Sequence, residues 1–506
     1  MNYEAVPSGE QLLVGFQRQK QVTNNVIGWY LYSFSSEPFI VSAVSTYVPL
    51  MLEQFARING VRLDDHSLSC SEYDGKCVLG LFNNTFYIDT SSFALYTFSL
   101  SVFCQTIMVI SISGLADMWK SVQFKGKVVV AFGIGGALST VAISQLNSSQ
   151  FYSLAFLSIA SNCCYGVVNV VGNSLLPLFV ADLLKYCPEH RTSDIEKLTT
   201  LISGRGSSLG YISALLVQIC SIFLVRMSKS HDNIQVAVFF VGIWWFIWQL
   251  PMTWLLKDVV PVEMRSEQLR VTNATRYLKY GWMSLFESLK HARLLKDVMV
   301  FLVGWFIISD SITTINSTAI LFAKTELKMN TLNMISVSIL TLISAICGAI
   351  FIPELLSVRL RQPPQRAMIY IICWASVIPL YGTLGFFFDT VGLKHKFEMY
   401  LLAIWYGVAL GGLSAVSRSV FSLIIPTGKE STFFSLFNVT DKGSSIMGPF
   451  LIGVLTDKTH NIRYSFYLLL MLLILSLPVF NALNVERGRR EAKELSELNQ
   501  PDDRNE

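Results

Sequence analysis

Twelve long apolar runs constrain this 506-residue chain more than any other feature of its sequence. They lie near 26–51, 91–113, 127–146, 151–180, 206–225, 234–256, 297–321, 331–352, 367–388, 398–420, 432–455 and 464–482. Most are close to the ~20 residues a helix needs to cross a hydrocarbon core. Backbone N–H and C=O groups in lipid must be satisfied internally, so these runs predict helices and an all-α membrane protein with twelve transmembrane helices. The charged fraction agrees, at 15% against about 25% in ordinary soluble domains.

Residues 1–25 are polar and lack an apolar core followed by a small-residue cleavage site, so they read as an N-terminal segment and not as a removable signal. A charged stretch, 257–296, separates 26–256 from 297–482, and residues 483–506 form a tail. Two six-span halves of this kind suggest duplication. Within the central stretch, "GWMSLFESLKHARLLK" (281–296) puts Trp282, Leu285, Phe286 and Leu289 on one face beside Lys290 and Arg293. That pattern predicts an amphipathic helix lying on membrane lipid and tethering the halves. Lys and Arg number 27 in the loops on the side of the N-terminus and 11 on the other side. This asymmetry predicts that both termini are cytosolic.

The opposite side carries the long loop 53–90, with Cys70 and Cys77 in "CSEYDGKC". A disulfide between them suits an oxidising lumen, although two free thiols remain an alternative. Asn83 and Asn147 are sequons on the same side; Asn83 is the expected glycosylation site, and Asn147 lies too close to the bilayer to be favoured.

Ionisable groups inside the spans mark a pathway by default, because each costs about 2.5–3.5 kcal/mol or more at mid-bilayer. Glu37, in "SFSSEPF", lies about 16 Å along the first span at 1.5 Å per residue. Pro38 frees a carbonyl beside that carboxylate, and such a break is tolerated where it faces protein or water. Asn162, Asn169 and Asn173 share one face of the fourth span with Gly166. An amide stripe suits a polar solute, or else serves as interhelical glue. Asp310 sits near mid-depth in the seventh span. Asp441 and Lys442 are adjacent in the eleventh, about 100° apart on a helix, so each is expected to pair with another helix and not with its neighbour. Arg418 ends the tenth span, as a snorkelling anchor or a gate. Glu37, Asn162, Asn169, Asn173, Asp310, Asp441 and Lys442 thus form the expected substrate or proton pathway.

Several functions are excluded or weakened. No GxxxxGK[ST] loop supports ATP hydrolysis, and no basic tract with interleaved aromatics supports nucleic acid. Gly206-Ser207-Ser208-Leu209-Gly210 matches the G-x-S-x-G of lipases, but no strand precedes it and all six His fall in loops. The loops are short for a non-transporting scaffold or receptor. No residue is assigned to a cofactor or a metal.

The segments "SFSSEPF", "CVLGLFNNTF", "NVVGNSLLPLFV", "ISGRGSSLGY", "SDSITTINST" and "SRSVFSLIIPTGKESTFFSLF…DKGSSIMGP" resemble the autophagy-related protein 22 family, within the major facilitator superfamily. The resemblance extends over nearly the whole chain. It implies a vacuole-membrane secondary transporter that exports neutral amino acids such as leucine and tyrosine to the cytosol after autophagic breakdown, by alternating access. Protons are a further expected partner if Glu37 or Asp310 titrates. The superfamily's loop after the second span reads G-x-x-x-D-R/K-x-G-R-R/K. Here "SGLADMWKSVQFKGK" keeps Asp117 but has Ser113 at the first glycine and lacks the Gly-Arg pair. The resemblance makes Asp117, with Lys120 and Lys125, the expected cytosolic closure.

Overall fold

A computed structural model describes residues 9–63, 68–70, 77–81, 85–119, 121–190, 194–227, 233–260, 281–283, 285–286, 295–388, 390–445, 447–459 and 461–498. Among these, eleven helices are long and apolar enough to cross a membrane. The first runs as α1 (Gly9–Pro38), a π-helical stretch (Phe39–Tyr47) and α2 (Val48–Ile58). Then come α3 (Thr90–Met118), α4 (Val122–Ile143), α5 (Phe151–Ser174) with its continuation α6 (Leu176–Tyr186), α7 (Ile195–Met227), α8 (Asn233–Gln249) and the short α9 (Met252–Leu255). The second set is α10 (Lys296–Thr325), α11 (Thr331–Pro353), α12 (Pro364–Leu384), α13 (Lys396–Ile424), α14 (Glu430–Ser444), α15 (Met447–Thr459), α16 (Ser465–Ala482) and the tail helix α17 (Val485–Leu498).

Two expectations change. The run 432–455 is not one continuous helix but two, α14 and α15, parted around Ser445. The sequence "GSSIMGP" explains the break, since glycine and small polar residues weaken the helix and proline cannot continue the hydrogen-bond ladder. The chain is also not wholly α-helical. Loop 53–90 contains a small antiparallel sheet of β1 (Val61–Arg62), β2 (Cys77–Leu81) and β3 (Phe86–Asp89), in that order. Val61 pairs with Val78, and Leu79 with Ile88. Cys70 and Cys77 are joined by a disulfide at the edge of this sheet.

Pro38 does not break the first span. The Phe34 carbonyl that it leaves without a helical donor is not free, as the sequence suggested, but accepts Trp244 Nε1 at 3.1 Å, and the chain continues in a π-helical turn, a feature that commonly marks functional sites. The helices alternate in direction, so the described ends, Gly9 and Leu498, lie on one side, here called the terminal side, and the disulfide lies on the other. On the terminal side α17 docks through Arg487, whose Nε and Nη2 donate to the buried carboxylate of Asp297 at 2.7 and 2.8 Å. That bond holds the guanidinium pKa above its ordinary value. Val485, Ala492 and Leu495 form the buried face of the same helix.

Small residues set the helix spacing. Gly407 and Gly411 on α13 lie against the Thr341 and Ala345 carbonyls of α11, where a Cβ would collide with backbone. The two sets of helices meet mainly through α7, which packs on both α11 and α13, and through α14, which packs on α3 and α5. Beyond the break, α15 packs on α10 and α16 of its own set. Of the predicted surface helix 281–296, only 281–283, 285, 286, 295 and 296 are described. Trp282 Nε1 donates to Ser111 Oγ at 3.2 Å, and Leu285 is buried.

Candidate transport site

On the terminal side a charge cluster joins the two sets of helices. Lys125 Nζ, 1% exposed, lies 3.1 Å from Asp117 Oδ1 and 3.1 Å from Glu430 Oε2. Asp117 also accepts the backbone N–H groups of Ser431 (2.8 Å) and Thr432 (2.7 Å). These are among the first N–H groups of α14, which have no partner within their own helix. A carboxylate there also meets the positive end of the helix dipole. Asp117 therefore caps a helix 314 residues away in sequence. Glu430 Oε1 accepts Gly428 N–H at 2.8 Å, and Ser431 Oγ meets Ser174 Oγ at 2.9 Å. Alongside, Thr200 Oγ1 meets Ser419 Oγ and Ser203 Oγ donates to the Ala415 carbonyl, both at 2.7 Å, joining α7 to α13. These bonds tie the two sets of helices together on the terminal side. Glu430 escaped the sequence reading, its one signal being an acid just before the run 432–455. Lys120 falls outside the described residues.

Further into the membrane lies a second cluster of a different kind. Glu37 is only part-buried, and its side chain rests on α7 where Gly210 leaves room; a Cβ at Gly210 would come within 3.2 Å of it. The cations whose field falls on Glu37 are Arg418 of α13 and Lys442 of α14. Among the described residues neither is in direct ion contact with it. The Arg418 guanidinium sits 5.7 Å over the Trp29 ring, a cation–π contact. Its Nη1 is buried without a hydrogen-bond partner. Trp29 is fixed in turn by donating to the Gly172 carbonyl at 2.8 Å. Arg418 thus faces the interior instead of snorkelling to the lipid headgroups, because α13 continues past it to Ile424 and keeps it inside the bundle. Tyr32, Tyr165 and Tyr211 also lie within reach of its charge. The three tyrosines were not singled out from the sequence, since aromatics at helical spacing look like core.

The asparagines of α5 divide. Asn162 is buried and donates to Ser101 Oγ of α3 at 2.9 Å, and Gly166 faces Gln105. Both pack helix on helix. Asn173 accepts the Tyr32 hydroxyl at 2.7 Å and donates to Asn169 Oδ1 at 3.1 Å, and Asn169 reaches the Tyr165 hydroxyl at 3.4 Å. This chain leads from the helix interface to the tyrosines near Glu37.

Around the break between α14 and α15 the carboxylates are occupied. Asp441 Oδ1 accepts Ser309 Oγ at 2.6 Å and Trp305 Nε1 at 3.2 Å from α10. Contrary to the helical-wheel expectation, Lys442 Nζ lies 3.7 Å from its neighbour's Oδ2. The long lysine stem folds back near the helix end, where no next turn obstructs it. Asp310 Oδ1 accepts the Gly448 N–H at 2.8 Å, capping α15. Ser208 lies in mid-helix, its hydroxyl given to the Arg205 carbonyl. Asn83 is outside the described residues; Asn147 is exposed at the turn after α4.

Residues 21–493 match the family described as "Vacuole effluxer Atg22 like". A protein of Saccharomyces cerevisiae named autophagy-related protein 22 is 61% identical over 98% of this chain and 98% of its own. Its namesake in Kluyveromyces lactis is 61% identical over 98% and 100%, and that of Yarrowia lipolytica 38% over 92% and 97%. Among solved structures, the proton:xylose symporter XylE of the major facilitator superfamily matches at a TM-score of 0.61 and 11% identity, over 94% of this chain and 98% of its own. A bacterial ferroportin homologue in its outward-facing state matches at 0.59 and 15%, over 91% and 98%. At such identities the structural likeness speaks for the fold alone.

Proposed function

We infer that this chain, which belongs to the Atg22-like family of vacuole effluxers and has the major facilitator fold, carries neutral amino acids from the vacuole lumen to the cytosol by alternating access. It is a multi-pass vacuolar transporter; that it does no enzymatic chemistry, and the substrate, the direction and the site, are our reading. In it the terminal side is cytosolic, in keeping with its excess of Lys and Arg. The bonds that tie the helix sets together on the terminal side are then those of a state closed toward the cytosol.

The observation that carries the reading is the open valence of the inner cluster. Glu37 of α1 and Arg418 of α13 lie within each other's field without direct contact, and Arg418 Nη1 has no hydrogen-bond partner, whereas Lys442 of α14 is paired with Asp441. An amino-acid zwitterion supplies the missing groups: its carboxylate meets Arg418, its ammonium meets Glu37, and both bonds are charge-assisted. Tyr165 and Tyr211, both within reach of the Arg418 charge, are the aromatic neighbours a substrate side chain would meet. A zwitterion bridging α1 and α13 draws the two sets of helices together, as a carrier cycle requires. Among the described acids expected on the pathway, Asp310 and Asp441 are taken up by hydrogen bonds, which leaves Glu37 as our candidate proton carrier.

The test is efflux of labelled leucine and tyrosine from proteoliposomes, with and without a pH gradient. Saturable efflux that is lost when the amino acid's carboxylate is amidated supports the reading. Equal efflux of the amide, or none of either amino acid, overturns it.

A further inference from the structure

A groove of about 480 Å³ runs along the outside of the second helix set. It lies where α11 ends in a π-helical stretch, Glu354–Arg359, against α12. Its floor is apolar: Phe351, Leu355, Tyr370 and Trp374 all line it and are partly exposed. One wall is stiff, because Trp374 stacks on Trp405 at 3.7 Å with each indole N–H donating to the other's carbonyl. Two charges stand at the rim, Glu354 and Arg359. They close a helix long and apolar enough to cross a membrane, Asn333–Arg359, and the end of such a span corresponds to headgroup depth. Among the described residues neither charge has an ion pair or hydrogen-bonded partner. The i→i+5 bond from Leu360 N–H to the Leu355 carbonyl widens this turn and places the acid and the base one turn apart on the rim.

The geometry points to a specific phospholipid site whose occupant carries a phosphoethanolamine headgroup. The acyl chain fills the apolar floor, the phosphate accepts from Arg359, and the primary ammonium donates to Glu354. Charge complementarity selects among headgroups. Choline has no N–H to donate. Phosphatidylinositol offers no cation to Glu354, and phosphatidylserine adds a carboxylate that Glu354 repels. Basic pockets at the membrane boundary commonly hold lipid headgroups; the paired acid is what narrows the choice here. The site is separate from the inner cluster and does not rest on the transport reading.

The test uses the purified full-length protein in nanodiscs of mixed phosphatidylethanolamine, phosphatidylcholine and phosphatidylinositol, with retained lipid read by native mass spectrometry. Wild-type protein should retain phosphatidylethanolamine about tenfold over phosphatidylcholine, the scale of one charge-assisted hydrogen bond. Glu354→Gln should abolish the preference while total phospholipid retention stays, and Glu354→Asp should keep it. Arg359→Gln should lower retention of every phospholipid. Equal retention of ethanolamine and choline lipids by the wild type, a preference for phosphatidylinositol, or a preference unchanged in Glu354→Gln would overturn the assignment.

Discussion

The two charge clusters between the helix sets each hold three ionisable side chains, two acids and a lysine on the terminal side and one acid and two bases in the interior, yet they are opposite in state. On the terminal side, Asp117, Lys125 and Glu430 are all but fully buried, and each carboxylate has both a lysine and backbone donors. In the interior, Glu37, Arg418 and Lys442 are only part-buried, and the acid touches neither base. A buried charge without a partner is costly, so saturation is the condition for a stable closure. An interior that leaves Glu37 and Arg418 without an ion partner, while Lys442 is held by Asp441, keeps hydrogen-bonding capacity for something that comes and goes. The contrast separates a latch from a binding site.

The largest expected effect tests the latch. Lys125→Ala leaves two buried carboxylates facing each other, a loss on the order of 3–5 kcal/mol to the closed arrangement. In a background lacking the free cysteines, a reporter at position 174, beneath the Ser431 contact, should react with a membrane-impermeant thiol reagent from the terminal side at least about a hundredfold faster in the variant. Unchanged labelling would show that the triad is not what seals this side.

How much of this contrast was visible in the sequence follows from distance along the chain. The spans were legible because hydrocarbon imposes a length and a composition on each. Asp117 was legible through its loop motif, and Glu37 because an acid beside a proline stands out in an apolar run. Glu430 was not, because its partner Lys125 lies 305 residues away and pairing at that range leaves no local trace. Arg418 was ambiguous because its depth depends on where α13 ends, and an apolar run marks a helix end only to within a few residues. The break near Ser445 had a signal in its glycines and proline, yet Pro38 shows that a similar signal can end in a π-turn. Which outcome prevails depends on neighbours: Asp310 is there to take the freed Gly448 N–H.

The next effect in size concerns the open cluster. Glu37→Gln should lower amino-acid efflux at least about tenfold, or about 1.4 kcal/mol in the barrier. Thermal stability and abundance should not fall, because among the described residues no group is in an ion pair with that carboxylate. Normal efflux would remove Glu37 from the mechanism; a collapse in stability would move it into the same class as Asp117.

Asp310 sharpens the comparison because it is an intramembrane acid that the contrast assigns to the saturated class. Asp310→Ala leaves the Gly448 N–H without its acceptor and should destabilise the protein by about 1–3 kcal/mol, read as a lower midpoint in a thermal unfolding assay of the detergent-solubilised chain. Asp310→Asn keeps an acceptor oxygen, so it should keep both the stability and the pH profile of efflux. A shifted pH profile in Asp310→Asn at wild-type stability would make Asp310 a proton carrier and erase the distinction from Glu37.

The smallest effect tests whether the latch is one cluster or a layer. Thr200 and Ser419 are neutral, and each is one of several polar contacts between α7 and α13. Thr200→Val preserves the shape and removes the 2.7 Å bond to Ser419, while the Ser203 bond to the Ala415 carbonyl remains. A neutral hydrogen bond contributes about 0.5–1.5 kcal/mol net, so terminal-side labelling of the same reporter should rise only a few-fold. If Thr200→Val opened the terminal side as far as Lys125→Ala, the closure would depend on the α7–α13 seam and the charged triad would be secondary to it. If the two substitutions combined additively, the seam and the triad would be independent supports of one closed state, as expected for sites that share no partner.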